Sequence, residues 1–411
     1  MPKLRASYAQ AMIEAGEVGP SGSETFRDQS LRRLTSHAGS GASHILPMDR
    51  AGEGLYCGLR QGALDYFSEY SITWWLSRDE AVSRRAAGVV GLPTGHLTSS
   101  QLACVNHLEP ARNHVEIALQ VARQVDPSVD RVLFVPGERG FVAFEWLPKR
   151  DLLNESTRRT RGANVTSLDA LMLGQRRSGK IVVLAFEWKF LETYGQQAVA
   201  RVSKAGTDRL ARYQALLDDP SCPVKRRDPG TFFYEPYYQL MRQTLLAWQM
   251  TRDAIEGWPT IDDWRHVQVI PAGNLKLRRH VPHAVSDYAG HKTLESAWRS
   301  VLKSPNRYRV VTPTDLMPTD VPAAWHDWRR WARSALRHVG STVLAQDSRV
   351  QLSALGVSSS ATIRATASKM CSRRVNISAS RTSACRANPV SIPSHSDALR
   401  HSPTRVSNAA A

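Results

Sequence analysis

The stretch 181–191, Ile-Val-Val-Leu-Ala-Phe-Glu-Trp-Lys-Phe-Leu, leaves the chain the least freedom. Its β-branched and aromatic residues, read at a period of two, make a strand with two unlike faces. Ile181, Val183, Ala185, Glu187 and Lys189 share one face; Val182, Leu184, Phe186, Trp188 and Phe190 share the other. The second face is wholly apolar, so it must lie on a core, and Glu187 and Lys189 then project together from the reverse side. Upstream, Ser178-Gly179 marks a tight turn over 176–180, and 165–173 reads as the partner strand. Hairpin symmetry about residue 178 sets Asp169 directly across from Glu187. A slip of one residue would send Asp169 to the opposite face, so the pairing is a strict geometric condition.

Two carboxylates a few ångströms apart repel unless a proton or a cation intervenes. An all-oxygen donor set suits Mg²⁺, or Mn²⁺, rather than zinc. Such an ion lowers the pKa of a bound water and polarises a phosphoryl oxygen. Lys189, two residues from Glu187 on the same face, is placed to orient that water or to hold developing phosphoryl charge. Of the ten lysines only Lys189 follows an acid at that spacing. These are the residue types that metal-dependent phosphodiester hydrolysis requires.

Elsewhere the pattern is coarser. A short helix is expected over 1–18, followed by a Gly-, Ser- and Arg-rich stretch to residue 58 that reads as a flexible lead-in. Thr98 and Gln101 form a capping box opening a helix, interrupted at Pro110 and resumed to about Val125. Strands are expected at 131–136, 141–146, 165–173 and 181–191, helices at 198–217 and 234–255, and a last strand at 266–271. An amphipathic segment over 321–339 carries Trp325, Trp328 and Trp331. The order helix, β-hairpins, helix, strand describes an α/β or α+β fold around a mixed sheet.

Composition bounds what such a fold does. The 411 residues carry 54 Lys and Arg against 37 Asp and Glu, a net +17, which favours polyanions and nucleic acid first. About +7 of it rides on the end of the chain, where sixteen serines lie among Arg and Ala and no aromatic residue follows Trp331. That segment, 340–411, cannot bury enough apolar surface to offset its chain entropy, and disorder is expected. The 59–339 region is left as one large unit. The five cysteines are scattered without a CxxC or Cys/His spacing, so structural zinc and a disulfide framework are not expected. With no long apolar run and no secretory leader pattern, a cytoplasmic protein away from membranes is expected.

Asp169…Glu187-x-Lys189 in this element order resembles the PD-(D/E)xK nuclease superfamily, and the surrounding residues resemble a restriction-endonuclease-like bacterial family within it. Gly162–Asp169 and Phe186–Lys189 carry the likeness most specifically. It extends through Ser99-Ser100-Gln101, Phe144-Glu145-Trp146, Glu192-Thr193-Tyr194 and 238–243. Leu168 stands where the superfamily name has proline, and Phe190 where tyrosine is expected. The resemblance implies a restriction-endonuclease-like core with Asp169 and Glu187 on the metal, the Trp188 carbonyl completing its shell and Lys189 assisting the water. In-line attack then cleaves P–O3′ and leaves 5′-phosphates. Glu145 and Glu116 are candidate additional acidic ligands. Gln239 and Gln243, one helical turn apart, resemble the Qxxx(Q/Y) motif of RecB-like nucleases. Arg158, Arg159 and Arg161, in the loop entering the Asp169 strand, are candidate phosphate contacts, and Lys276, Arg278 and Arg279 a second basic cluster. The implied activity is a Mg²⁺-dependent DNA endonuclease in restriction or defence. A RecB-like repair exonuclease and a non-catalytic nucleic-acid-binding protein on the same fold are the alternatives. Many endonucleases act as dimers, and a homodimer stays open because no interface can be read from the residues.

Overall fold

The structure is a computed structural model that describes Leu31 and residues 44–155, 161, 165–202 and 208–329. The helix expected over 1–18, the tail over 340–411, Trp331 and the candidates Arg158 and Arg159 lie outside the described residues. Leu46 and Leu55 are buried in the core, so the packed unit reaches back beyond residue 59.

After a 3-10 helix at Met48–Gly54 come four α-helices: α1 (Arg60–Glu69), α2 (Arg78–Ala86), α3 (Ser100–Asn113) and α4 (Val115–Val125). Then come strands β1 (Val129–Leu133), β2 (Ala143–Trp146), β3 (Leu168–Arg176) and β4 (Ile181–Trp188). Helices α5 (Arg209–Asp218) and α6 (Tyr237–Gln249) lead to β5 (Asp263–Val269). The short α7 (Leu275–Arg278), α8 (Leu294–Ser300) and β6 (Tyr308–Val311) follow. Local chemistry sets several boundaries. Ser77, Ser99 and Asp208 cap α2, α3 and α5 by accepting hydrogen bonds from backbone N–H groups of the first turn. Gly179, at φ +82, closes the β3–β4 hairpin in the left-handed conformation that a side chain would strain.

The sheet runs β1-β3-β4-β5-β6, with β2 joining β3 on the same edge as β1. β3 pairs antiparallel with β1, β2 and β4, whereas β5 runs parallel to β4 and β6 runs parallel to β5. This is the mixed-sheet α/β fold expected. β6, short and interrupted by arginine, carries too little alternation to be read from sequence, and α1, α2 and α8 were likewise unread.

Helices cover both faces of the sheet. Val182, Leu184, Phe186 and Trp188 pack in one core with residues of α1, α3 and α4. Val183 and Ala185 pack in the other with residues of α5, α6 and α8. The expectation that β4 turns one face to a core is therefore too modest, because a central strand with parallel and antiparallel neighbours is buried on both sides.

Pro110 does not break its helix. α3 continues past it to Asn113, and the interruption falls at extended His114 instead. A helical proline removes the N–H that would bond the carbonyl four residues earlier, here Asn106. The Trp328 indole N–H donates to that carbonyl at 3.1 Å, so the lost bond is replaced from outside the helix.

Candidate active site

At one end of the sheet three acids stand side by side. Continuing the β3–β4 register one step beyond Ala170↔Phe186 sets Asp169 opposite Glu187, the pairing that hairpin symmetry required. On the other edge of β3, the pairs Phe144↔Ala170 and Trp146↔Leu168 set Glu145 level with Asp169. Glu145, Asp169 and Glu187 thus occupy one row across β2, β3 and β4. Glu145 itself holds φ +48, a left-handed conformation that costs a non-glycine residue roughly 1–3 kcal/mol and is found where surroundings over-determine it. Strand alternation breaks there: Ala143 and Trp146 lie in the same core, rather than on opposite faces as regular alternation predicts.

All three acids line a cavity of about 540 Å³, together with Lys189, Gln239, Gln101, Trp75, Glu192 and Tyr194. Lys189 Nζ donates to Glu187 Oε1 at 2.5 Å and to Gln239 Oε1 at 2.7 Å. Gln239 Nε2 donates to the same Glu187 oxygen at 2.7 Å, and Gln243 Nε2 donates to Oε2. The Trp188 N–H donates to Asp169 Oδ2 at 2.6 Å. Gln101 Nε2 donates to Glu145 Oε1 at 2.8 Å, and Ser167 Oγ lies 3.4 Å from its other oxygen. Glu187 is only 2% exposed, and Glu145 and Lys189 are buried as well.

Burying like charges together shifts their protonation. Desolvation first, then the Glu187 and Glu145 charges, raise the Asp169 carboxyl well above the usual carboxylate range. Burial pushes Glu145 up to about 7, with the Gln101 hydrogen bond opposing and the Glu187 charge adding. Burial pulls Lys189 down, but the Glu187 carboxylate, with Tyr194, Glu192 and Asp169, raises it further, so the ammonium stays charged. Three acids against one cation leave a site short of positive charge.

Hard carboxylate oxygens, desolvated and mutually repelling, fit a Mg²⁺-type cation. Among the described residues no group of three or more His, Cys, Asp or Glu side chains converges closely enough to hold a metal as it stands. Lys189 is the cation seated on Glu187.

A family model described as Restriction Endonuclease associating with ARP matches residues 38–327, the greater part of the chain. The chain belongs to this restriction-endonuclease family. No curated protein and no solved structure matches it. Family membership supports a nuclease or defence-related role for the chain.

In this restriction-endonuclease domain the sequence candidates fare unequally. Asp169, Glu187, Lys189, Glu145, Gln239 and Gln243 are brought together. Glu116 is not: it is exposed in the first turn of α4 and lines neither the cavity nor a contact with the other acids. Apolar α4 buries Ile117, Ala118 and Val121 against the sheet, which turns Glu116 outward. The helix residue that does reach the row is Gln101, read from sequence as half of a capping box. Ser99 caps α3 instead, freeing Gln101 to bond Glu145, the Thr73 carbonyl and the Trp75 N–H. The readable signal was a glutamine in a helix whose first turns are otherwise buried and apolar.

Arg161 departs from expectation too. Its guanidinium is half-buried, 2.8 Å from Glu138, and donates to the Phe144 carbonyl at 2.7 Å and the Glu145 carbonyl at 3.3 Å. It braces β2 from behind rather than standing free for a phosphate. Of the second basic cluster, Arg278 donates to the Ile270 carbonyl, while Lys276 and Arg279 are exposed. No described helix is long and apolar enough to cross a membrane.

Proposed function

We propose that this chain is a metal-dependent DNA endonuclease of the PD-(D/E)xK type, acting in restriction or defence. The observation that carries the reading is the row Glu145, Asp169, Glu187 across three adjacent strands, lining one cavity together with Lys189. Asp169 and Glu187 would hold Mg²⁺ or Mn²⁺, with Glu145 as the third acid. The ion supplies a water of lowered pKa and a counter-charge for the phosphoryl oxygens. The chain's own residues do the rest. Lys189 directs an N–H donor into the cavity, where it orients the attacking water and meets charge developing on the phosphoryl group. Gln239 and Gln243 fix both oxygens of Glu187, and Gln101 fixes Glu145, so the carboxylates are presented without reorganisation. The association with ARP in the family's description extends to this chain as part of the same proposal.

Cleavage of supercoiled plasmid DNA in Mg²⁺, by the wild type, Glu187→Ala and Lys189→Ala, tests the reading. The wild type is expected to linearise the circle. Glu187→Ala is expected to lose cleavage, and Lys189→Ala to fall on the order of 10²–10³-fold, the usual cost of one charge-stabilising donor. Equal activity in all three proteins removes the site assignment. The Gln239 and Gln243 pair favours one second reading, an exonuclease, which would leave the circle intact and degrade a linear fragment.

A further inference from the structure

Trp75 lines the cavity and takes no part in the hydrolytic chemistry. It is 51% exposed, in contrast to its neighbour Trp74, which is buried and stacked on Phe67 with ring centroids 3.6 Å apart. The chain turns at Ser71, φ +51, before this pair, and Trp75 lines the cavity while Trp74 is buried. Single exposed apolar residues need no explanation in themselves. This one is unusual in how it is held. Its backbone N–H donates to Gln101 Oε1 at 2.9 Å, and the Nε2 of the same glutamine donates to Glu145 Oε1. One amide therefore ties the tryptophan to a carboxylate of the reactive row. On its other side the indole meets the His96 ring edge to face, with centroids 5.5 Å apart.

The described wall of the cavity is poor in cations. Among its described lining residues Lys189 is the only Lys or Arg, and that ammonium is bonded to Glu187 and Gln239. Its volume, about 540 Å³, lies within the range that accommodates drug-sized ligands, so there is room for a nucleoside beside the phosphate. A rigid, half-exposed indole next to phosphate-reactive groups provides sequence-independent affinity through a base's π-face, provided that base is not already stacked in a duplex.

We propose that Trp75 is a stacking platform for an unpaired base adjoining the scissile phosphate, and that the preferred substrate is therefore single-stranded DNA or a single-stranded stretch within a duplex. This rests on the nuclease reading of the cavity and names the substrate class for it.

The test is binding rather than turnover. Fluorescein-labelled 15-nucleotide DNA is titrated with the full chain in Ca²⁺, an oxygen-ligand ion used here in place of Mg²⁺, as wild type, Trp75→Ala and Trp75→Phe. Trp75→Ala is expected to weaken single-strand binding by about 5-fold to 150-fold, the range one stacked base contributes. Trp75→Phe should recover most of that loss, which also shows that the site still folds. A matched blunt duplex should bind all three proteins alike. An oligonucleotide with an abasic position at each site in turn should reproduce the Trp75→Ala loss in the wild type at one position. Single-strand affinity within twofold of wild type for Trp75→Ala overturns the proposal, as does an equal loss on duplex. The two readings fail separately. A chain that binds as described yet never cuts plasmid or single strand loses the nuclease reading alone, and one that cuts with no effect at Trp75 loses only the platform.

Discussion

The two ends of the β3–β4–β5 sheet treat buried acids in opposite ways. At the end away from the cavity, Asp126 and Asp263 meet three guanidinium groups. Arg176 lies 2.6 Å from Asp126 and 2.7 Å from Asp263; Arg265 lies 3.1 Å and 2.8 Å from the same two, and Arg307 3.0 Å from Asp263. Burial raises both acids, but the Ser128 and Arg176 hydrogen bonds to Asp126, and the Arg176, Trp264 N–H and arginine charges at Asp263, bring them below the ordinary carboxylate range. At the cavity end Glu145, Asp169 and Glu187 share one lysine, and Glu145 and Asp169 are raised. The first arrangement satisfies itself and can only stabilise. The second crowds three carboxyl groups around one ion-paired lysine and raises two of them, the kind of perturbation that clusters at functional sites.

Exchanging damage between the two ends gives the largest contrast. Asp169→Asn is expected to lower cleavage by more than about 10³-fold while leaving the thermal midpoint unchanged or higher, because a like charge has been removed from a crowded site and the Trp188 N–H keeps an acceptor. Arg176→Ala is expected to do the reverse: a loss of about 2–4 kcal/mol in urea unfolding, as two carboxylates lose a shared partner, with cleavage per folded molecule retained at 25 °C. If folded Arg176→Ala is inactive, the two ends are not independent and the comparison fails.

Divalent ion should distinguish the ends next. Mg²⁺ at 100 times its dissociation constant stabilises a protein that binds it only when folded by about 2.7 kcal/mol. Differential scanning fluorimetry is expected to show a rising midpoint for the wild type and for Arg176→Ala, and none for Asp169→Ala/Glu187→Ala. A full Mg²⁺ shift in the double variant would place the ion elsewhere.

Acid separates them by sign. Folded-state values below the usual 3.8 mean that Asp126 and Asp263 contribute stability above pH 3.8 and lose it as pH falls through their folded values. Asp263→Asn should therefore sit about 1–2 kcal/mol below wild type at pH 6, the scale of a charged hydrogen bond, with the gap closing below pH 3.8. The cavity acids run the other way: raised in the folded state, they weaken the fold as pH climbs. A gap for Asp263→Asn that widens in acid would reverse the assignment of that end.

Much of the cavity end was readable because period-two patterning and hairpin symmetry act over a few residues. Alternation in 181–191 and the turn at Gly179 were enough to place Asp169 opposite Glu187. The glutamines of α6 were legible as a pair one turn apart. What escaped depended on contacts distant in sequence. Nothing near Gln101 announces Glu145, 44 residues away, and nothing near Pro110 announces that Trp328 replaces its missing hydrogen bond. The placements of Glu116 and Arg161 were not legible either, because residue type says nothing of which way a helix face or a loop turns. The arginine-rich end of the sheet was not read at all, since Asp126, Arg176, Asp263 and Arg307 are brought together only by the register of four strands and a helix end.

The mildest intervention tests whether the strained strand at Glu145 belongs to the reactive end. Gln101 holds that carboxylate from α3, and its loss leaves Glu145 its repulsion with Glu187 but one donor fewer. Gln101→Ala is expected to lower cleavage by about tenfold, as losing the partner of a ligating carboxylate does, and to raise the Mg²⁺ concentration needed for half-maximal rate. A purely structural glutamine would lower the unfolding midpoint and leave that Mg²⁺ requirement in place. A Mg²⁺ requirement unchanged in Gln101→Ala would therefore take Glu145 out of the ion's reach and reduce the row to Asp169 and Glu187.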